Sequence, residues 1–162
     1  EDAEEGIEDR IQKLMNIKGD KSVDYYHRQL GNIMWDNVGM AREAAGLKEA
    51  VEKIDALKKE FWSNVRIPGV ANTTNQELEK ALRVADYFEI GQLMARDALN
   101  REESCGGHFR LEHQTEEGEA LRHDDEFAYV ACWEYMGDDK EPVMYKEPLD
   151  YEYIVREQRD YK

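Results

Sequence analysis

The strongest constraint on this chain is a division of faces between Gly46 and Val65. Leu47, Val51, Ile54, Leu57, Phe61 and Val65 recur at steps of three and four residues, while Lys48, Glu49, Glu52, Lys53, Asp55, Lys58, Lys59 and Glu60 hold the other side. Only an α-helix gathers such positions into one stripe, and a helix with an apolar stripe must bury it against other elements. A second segment tightens the constraint. Leu78, Ala81, Leu82, Ala85 and Phe88 lie on one side, and Val84, Tyr87, Ile90, Gly91 and Met94 on another, ahead of Ala95, Ala98 and Leu99. An apolar surface that wide calls for neighbours on more than one flank, which is the position of the central rod in an antiparallel bundle.

The flanking segments complete that bundle. Ile7, Ile11, Leu14 and Met15 predict a helix over residues 1 to about 18, with acidic residues in its first turns where the helix dipole favours them. Gly19 stops it, Ser22 is placed to cap the next, and Val23, Tyr26, Leu30, Ile33, Met34 and Val38 carry a second helix to about Val38. The third helix ends near Asn64, because Ile67 precedes Pro68 and residues before proline avoid helical dihedrals. Thr74 or a near neighbour caps the fourth helix, and Gly106 or Gly107 is expected to take the left-handed turn that closes it. Beyond Gly107 the periodicity fades into a polar, carboxylate-rich loop. Phe127, Tyr129 and Ala131 then alternate with Ala128, Val130 and Cys132 as a strand. A turn follows at 136–141, and a short strand lies between Pro142 and Pro148. Tyr151, Tyr153, Ile154 and Tyr161 mark a tail that either docks or trails. The expected fold is therefore mainly α. It is an antiparallel three-helix bundle of the spectrin kind with an extra N-terminal helix and a small C-terminal β-hairpin extension. Residues 1–107 form the helical part, and residues 108–162 supply loop, hairpin and tail packed on it in one structural domain.

Charge narrows the classes of partner. Asp and Glu number 37 against 22 Lys and Arg, a net charge of −15, which disfavours nucleic acid and acidic lipid surfaces. No run approaches the roughly 20 apolar residues of a membrane helix. The start EDAEEGIEDR lacks the basic and then apolar blocks of a secretory signal, so a soluble cytoplasmic chain is expected. It begins on Glu1, consistent with a piece of a longer protein. Cys105, His108, His113 and His123 are zinc-compatible residue types, yet C-x2-H-x4-H-x9-H matches no tetrahedral module. The carboxylate pairs Glu116–Glu117, Asp124–Asp125 and Asp138–Asp139 are near-unavoidable at this composition. Ser63 and Ser104 sit in no nucleophile elbow, and Gly106–Gly107 is too short for a phosphate cradle. Cys105 and Cys132 are expected reduced. These patterns assign no catalytic, cofactor-binding or metal-binding residue.

Four stretches in order carry a resemblance: L-G-N-I-M-W-D-N-V-G-M-A-R from Leu30 to Arg42, G-L-K-E-A-V-E-K-I-D-A-L from Gly46 to Leu57, N-x-E-L-E-K-A through Ala81, and R-E-E-S-C-G-G-H-F-R from Arg101 to Arg110. They resemble the C-terminal region of the flavoprotein subunit of succinate dehydrogenase and fumarate reductase. The likeness runs from about residue 22 to about residue 148. It implies a helical bundle joined, in a parent subunit, to a large FAD-binding domain and a capping domain. The implied parent interconverts succinate and fumarate, passes electrons through FAD to an iron-sulfur subunit, and sits at the inner face of the cell membrane without inserting. The family's FAD contacts and its substrate-binding His and Arg residues lie upstream of this region, so no catalytic residue and no cofactor is carried over to this chain. Cys105 and Lys146 stand where relatives commonly have arginines. The implied role is a scaffold, with His108, Arg110, Arg122 and Lys146 as candidate contacts with the FAD domain. The alternative class is an autonomous acidic module that recruits basic partners through its charged helix faces.

Overall fold

The computed structural model describes residues 2–137 and 140–157. Its elements are α1 (Asp2–Asn16), β1 (Lys21–Ser22), α2 (Val23–Val38), β2 (Ala41–Arg42), α3 (Ala44–Asn64), β3 (Val65–Arg66), α4 (Gln76–Asn100), β4 (Phe109–Arg110), α5 (Asp124–Phe127), β5 (Tyr129–Glu134) and β6 (Val143–Pro148). The chain divides into two compact units, Glu1–Leu99 and Asn100–Lys162. That division falls ahead of the Gly107 boundary expected from sequence.

The first unit is the expected helical bundle. Ser22 caps α2, its Oγ accepting from the Tyr25 N–H at 3.2 Å. Asn75, next to the expected Thr74, caps α4 by accepting from the N–H groups of Glu77 and Leu78, both at 3.1 Å. Its Nδ2 also donates to the Pro68 and Val70 carbonyls, at 2.9 and 3.3 Å, which fixes the loop leading in. Between α1 and α2 the backbone passes so close to the end of α3 that a Cβ on Gly19 would lie 1.8 Å from the Asn64 carbonyl oxygen. Glycine is required there for approach, and the contact lets β1 pair in parallel with β3, Lys21 opposite Val65 and Ser22 opposite Arg66.

The core sits where the stripes meet. Phe61, fully buried, lies edge-on to Tyr26 at 5.3 Å and to Trp62 at 5.5 Å, and tilted against Phe88 at 5.4 Å. Such aromatic contacts add about 0.5–1.5 kcal/mol each beyond area burial. Leu14 of α1 belongs to the same cluster, with Ile11 and Met15 packed against it, so the N-terminal helix is part of the bundle. A second cluster of Val38, Leu47, Ala50, Ala95 and Ala98 closes the other end, where small residues let helices approach. The charged face of α3 stays in water, paired along the helix as Glu49–Lys53 at 3.0 Å and Asp55–Lys59 at 2.6 Å.

The second unit is built differently. α4 ends at Asn100, short of the glycines expected to close it. Gly106 does take a positive φ of 59°, but in a tight turn where Cys105 and His108 exchange N–H···O=C bonds at 2.8 and 3.1 Å. The loop after it is ordered by main-chain bonds, including Thr115 N–H to Glu119 O at 2.9 Å and Leu121 N–H to His113 O at 3.2 Å. The expected strand start at Phe127 is instead the end of α5. Three acidic residues open that turn and the Ala128 N–H closes it onto Asp124 O at 3.1 Å. β5 and β6 then form the expected antiparallel hairpin, from Tyr129 opposite Pro148 to Glu134 opposite Val143. Asp138, Asp139 and Tyr161 lie outside the described residues.

Candidate functional site

The segment from Arg101 to Arg110, which carries much of the family resemblance, folds into a polar knot. Arg101 leaves the end of α4 and its guanidinium is held on every side. Nη1 donates to Glu103 Oε1 at 2.7 Å and to the Phe127 carbonyl at 3.0 Å, and Nη2 donates to the Tyr129 carbonyl at 3.0 Å. The same group lies over the Tyr129 and Phe127 rings, 5.0 and 5.7 Å from their centroids. Glu103 is 3% exposed, and its second oxygen accepts from the His123 N–H at 2.9 Å. A buried carboxylate is tolerated only with partners of this quality.

The remaining buried groups close on the same centre. Ser104, fully buried, accepts from the Arg110 N–H at 2.8 Å and donates back to the Arg110 carbonyl at 3.2 Å. Arg110 is 2% exposed, with Nη1 on the Arg101 carbonyl at 3.2 Å and Nε on Glu112 at 3.2 Å. His108 donates from Nε2 to that same Arg101 carbonyl at 2.8 Å. Two side chains thus share the carbonyl of the first residue beyond α4. Arg122 grips Asp124 with two parallel bonds, Nε to Oδ1 at 2.8 Å and Nη2 to Oδ2 at 2.7 Å. It also reaches the Glu157 carbonyl at 3.2 Å. The hydrogen bond to Asp124, foremost among the causes, raises its pKa above the ordinary arginine value. Lys146 extends over the Tyr129 ring at 4.3 Å.

All four residues singled out from sequence fall in the second unit. His108 and Arg110 meet on one carbonyl, Arg122 lies next in sequence to the His123 N–H that Glu103 holds, and Lys146 shares the Tyr129 ring with Arg101. Sequence reasoning gave Arg101, Glu103 and Ser104 no role, although their R-E-E-S run follows the last apolar turn of α4 directly and opens a stretch that carries the family resemblance. The zinc-compatible set does not assemble. His108 is engaged by Arg101, His113 and His123 pack ring to ring at 5.3 Å, and no group of three or more His, Cys, Asp or Glu among the described residues is placed to hold a metal. Cys105 and Cys132 are free and exposed. No helix among the described residues is long and apolar enough to cross a membrane.

The outcome is a block of paired charges with the Cys105–Gly107 turn exposed at its surface. Comparisons with known proteins agree with the motif order. Residues 27–161 match the family model described as fumarate reductase flavoprotein C-term. An uncharacterized FAD-dependent oxidoreductase of Methanocaldococcus jannaschii is 36% identical over 109 residues, covering 67% of this chain and 19% of that protein. The fumarate reductase flavoprotein subunit of Proteus vulgaris is 31% identical over 106 residues, covering 65% of this chain and 18% of the subunit. This chain thus spans about a fifth of the length of these curated relatives. A solved quinol fumarate reductase of E. coli matches the fold with a TM-score of 0.80 at 22% identity, over 94% of this chain and 25% of that one. With the family model covering most of its length, the chain belongs to the C-terminal region family of succinate dehydrogenase and fumarate reductase flavoproteins.

Proposed function

We propose that this chain is the supporting C-terminal part of a flavoprotein subunit that interconverts succinate and fumarate, and that it contributes no catalytic group and binds no FAD itself. The observation that carries this reading is the state of the polar knot. Arg101, Glu103, Ser104 and Arg110 are the chemically capable residues of the family segment, and their bonds run to one another, to Glu112 and to main-chain groups. A general acid or a substrate clamp has to reach a substrate. These groups hold a turn in place.

In this reading the Cys105–Gly107 turn faces the FAD-binding part of the same polypeptide, with His108 and Arg110 fixing it from behind and Arg122 and Lys146 fixing the segments beside it. The FAD is held entirely by that other part, and an iron-sulfur subunit receives the electrons. The complex sits at the inner face of the cell membrane through its other subunits, since a chain of charge −15 gains nothing from an anionic lipid surface.

The test is to isolate the protein from its source cells under native conditions and identify the polypeptide that carries this sequence. The expected result is an FAD-containing subunit that stays with an iron-sulfur protein through about 0.5 M salt, where exposed charge pairs are screened. A free 19.0 kDa protein that sheds basic partners in moderate salt would replace this reading with the acidic interaction module.

A further inference from the structure

Two histidines of the second unit meet each other and little else. The His113 and His123 rings stand edge to face, with 5.3 Å between centroids and 85° between planes, and both residues are half-buried. Among the described residues neither ring makes a hydrogen bond. Their backbones are held separately. The His113 N–H donates to the Arg110 carbonyl at 2.9 Å, and its carbonyl accepts from the Leu121 N–H at 3.2 Å, so His113 stands at the base of the 113–121 loop. The Leu121 carbonyl accepts in turn from the Ser104 N–H at 2.8 Å. The His123 N–H is held by Glu103 at 2.9 Å, and its carbonyl accepts from the Glu126 and Phe127 N–H groups at 3.0 and 2.9 Å, which starts α5. The ring contact is a side-chain link between that loop and the segment opening α5.

The charges around the rings are already matched. Arg101 is bonded to Glu103, Arg110 to Glu112 and Arg122 to Asp124. His108 is held at the Arg101 carbonyl, and Arg156 donates to the Asp124 carbonyl at 3.0 Å. On α5, Asp125 and Glu126 are exposed and line one hollow with Arg122 and His123, and on the loop Glu116 and Glu117 are exposed and Glu119 half-buried. Exposed carboxylates in water offset a neighbouring positive charge only weakly.

We infer that the His113–His123 pair is an acid-sensitive latch on the 113–121 loop, closed while at most one ring is an imidazolium and sprung when both are. Histidine is the side chain whose charge ordinarily changes within the physiological range. Edge-to-face geometry tolerates one charge, since the edge of an imidazolium pointing at the face of a neutral ring is attracted to it as other cations are to aromatic faces. A second proton sets two positive rings 5.3 Å apart, inside the Debye length of about 8 Å at physiological ionic strength. The opened loop takes both protons with its rings apart, so it binds more protons than the closed loop does. Closure therefore weakens as the pH falls. Through the Leu121–Ser104 bond the loosening reaches the Arg101–Arg110 segment. The latch depends on the two rings and stands or falls separately from the function proposed above.

The experiment is hydrogen–deuterium exchange read by mass spectrometry on the full polypeptide that carries this sequence, at about pH 7 and about pH 5, corrected for the intrinsic pH dependence of amide exchange. Peptides covering 104–123 report the loop, and peptides from α3 are the reference. The expected result is a fall of about tenfold or more in the protection of 104–123 at the lower pH, with α3 unchanged. His113→Phe and His123→Phe each keep an aromatic ring without its charge, and each should abolish the fall. Unchanged protection of 104–123 in the wild type would overturn the latch, as would a fall that persists in both variants. Should either substitution unseat the loop at neutral pH, the wild type still decides. The slow exchange of each histidine C2–H, read on the same peptides, reports which rings are protonated, and loosening while His113 or His123 is still neutral would overturn the proposal.

Discussion

The two units solve the same problem with opposite materials. Apart from Tyr129, the buried hydrophobic residues of the described chain all lie in the helical unit, and the buried polar residues Glu103, Ser104 and Arg110 all lie in the second. The bundle is held by rings and aliphatic stripes around Phe61, and the second unit by arginines stapled to carbonyls and a carboxylate. Non-directional burial tolerates small shifts, whereas a buried charge network demands that each partner be present. The bundle should therefore lose stability in proportion to the volume removed, and the second unit should fail when any one staple is lost.

The largest effect should come from Phe61→Ala, which empties the meeting point of Tyr26, Trp62 and Phe88. A loss of about 3–5 kcal/mol is expected in urea denaturation followed by helical circular dichroism. Next, Arg101→Met strands the buried Glu103 carboxylate and should cost the second unit about 3 kcal/mol. Hydrogen exchange would locate the damage in 101–148, with α2, α3 and α4 as protected as before. Equal loosening of both units would break the distinction drawn between them. Gly19→Ala drives a Cβ into the Asn64 carbonyl and should destabilise the helical unit by about 1–3 kcal/mol, without altering exchange in the second.

The smallest effect is alkaline. Burial, followed by the neighbouring Glu60 charge, pushes the Tyr26 hydroxyl well above the ordinary tyrosine value of 10.0, and its proton is donated toward Glu60 Oε1 at 3.4 Å. The folded chain holds that proton more tightly than the unfolded chain does. Its contribution is thus whole below pH 10.0 and drains as the pH climbs toward the raised folded value. Tyr26→Phe should cost about 1 kcal/mol near neutrality and flatten the loss of stability between about pH 10 and pH 11.5. A wild-type profile as flat as that of the variant would show that the hydroxyl is not held in this way.

The same contrast explains what could be read in advance. Phe61, Leu30 and Ala85 announce themselves by period, because burying an apolar stripe leaves a repeating trace in the sequence. Ser22 and the break at Pro68 were equally legible as local chemistry. Arg101 and Glu103 leave no such trace, since an arginine bound to carbonyls 26 and 28 positions away looks like any surface arginine. The glycines at 106 and 107 pointed to a left-handed turn, and one exists. It lies in the Cys105–His108 turn beyond the helix, since α4 already ends at Asn100. His108, Arg110, Arg122 and Lys146 are candidates through resemblance alone, and nothing in their spacing announces that His108 and Arg110 share the Arg101 carbonyl.

The central claim is that the flavin chemistry belongs to another part of the polypeptide while this part supports it. The most direct measurement is a titration of the purified 162-residue chain with FAD, followed by flavin fluorescence, with succinate oxidation and fumarate reduction assayed on the same sample. The account predicts no saturable binding and no turnover of either substrate. One equivalent of FAD bound by this chain alone, or fumarate consumed by it, would contradict the account.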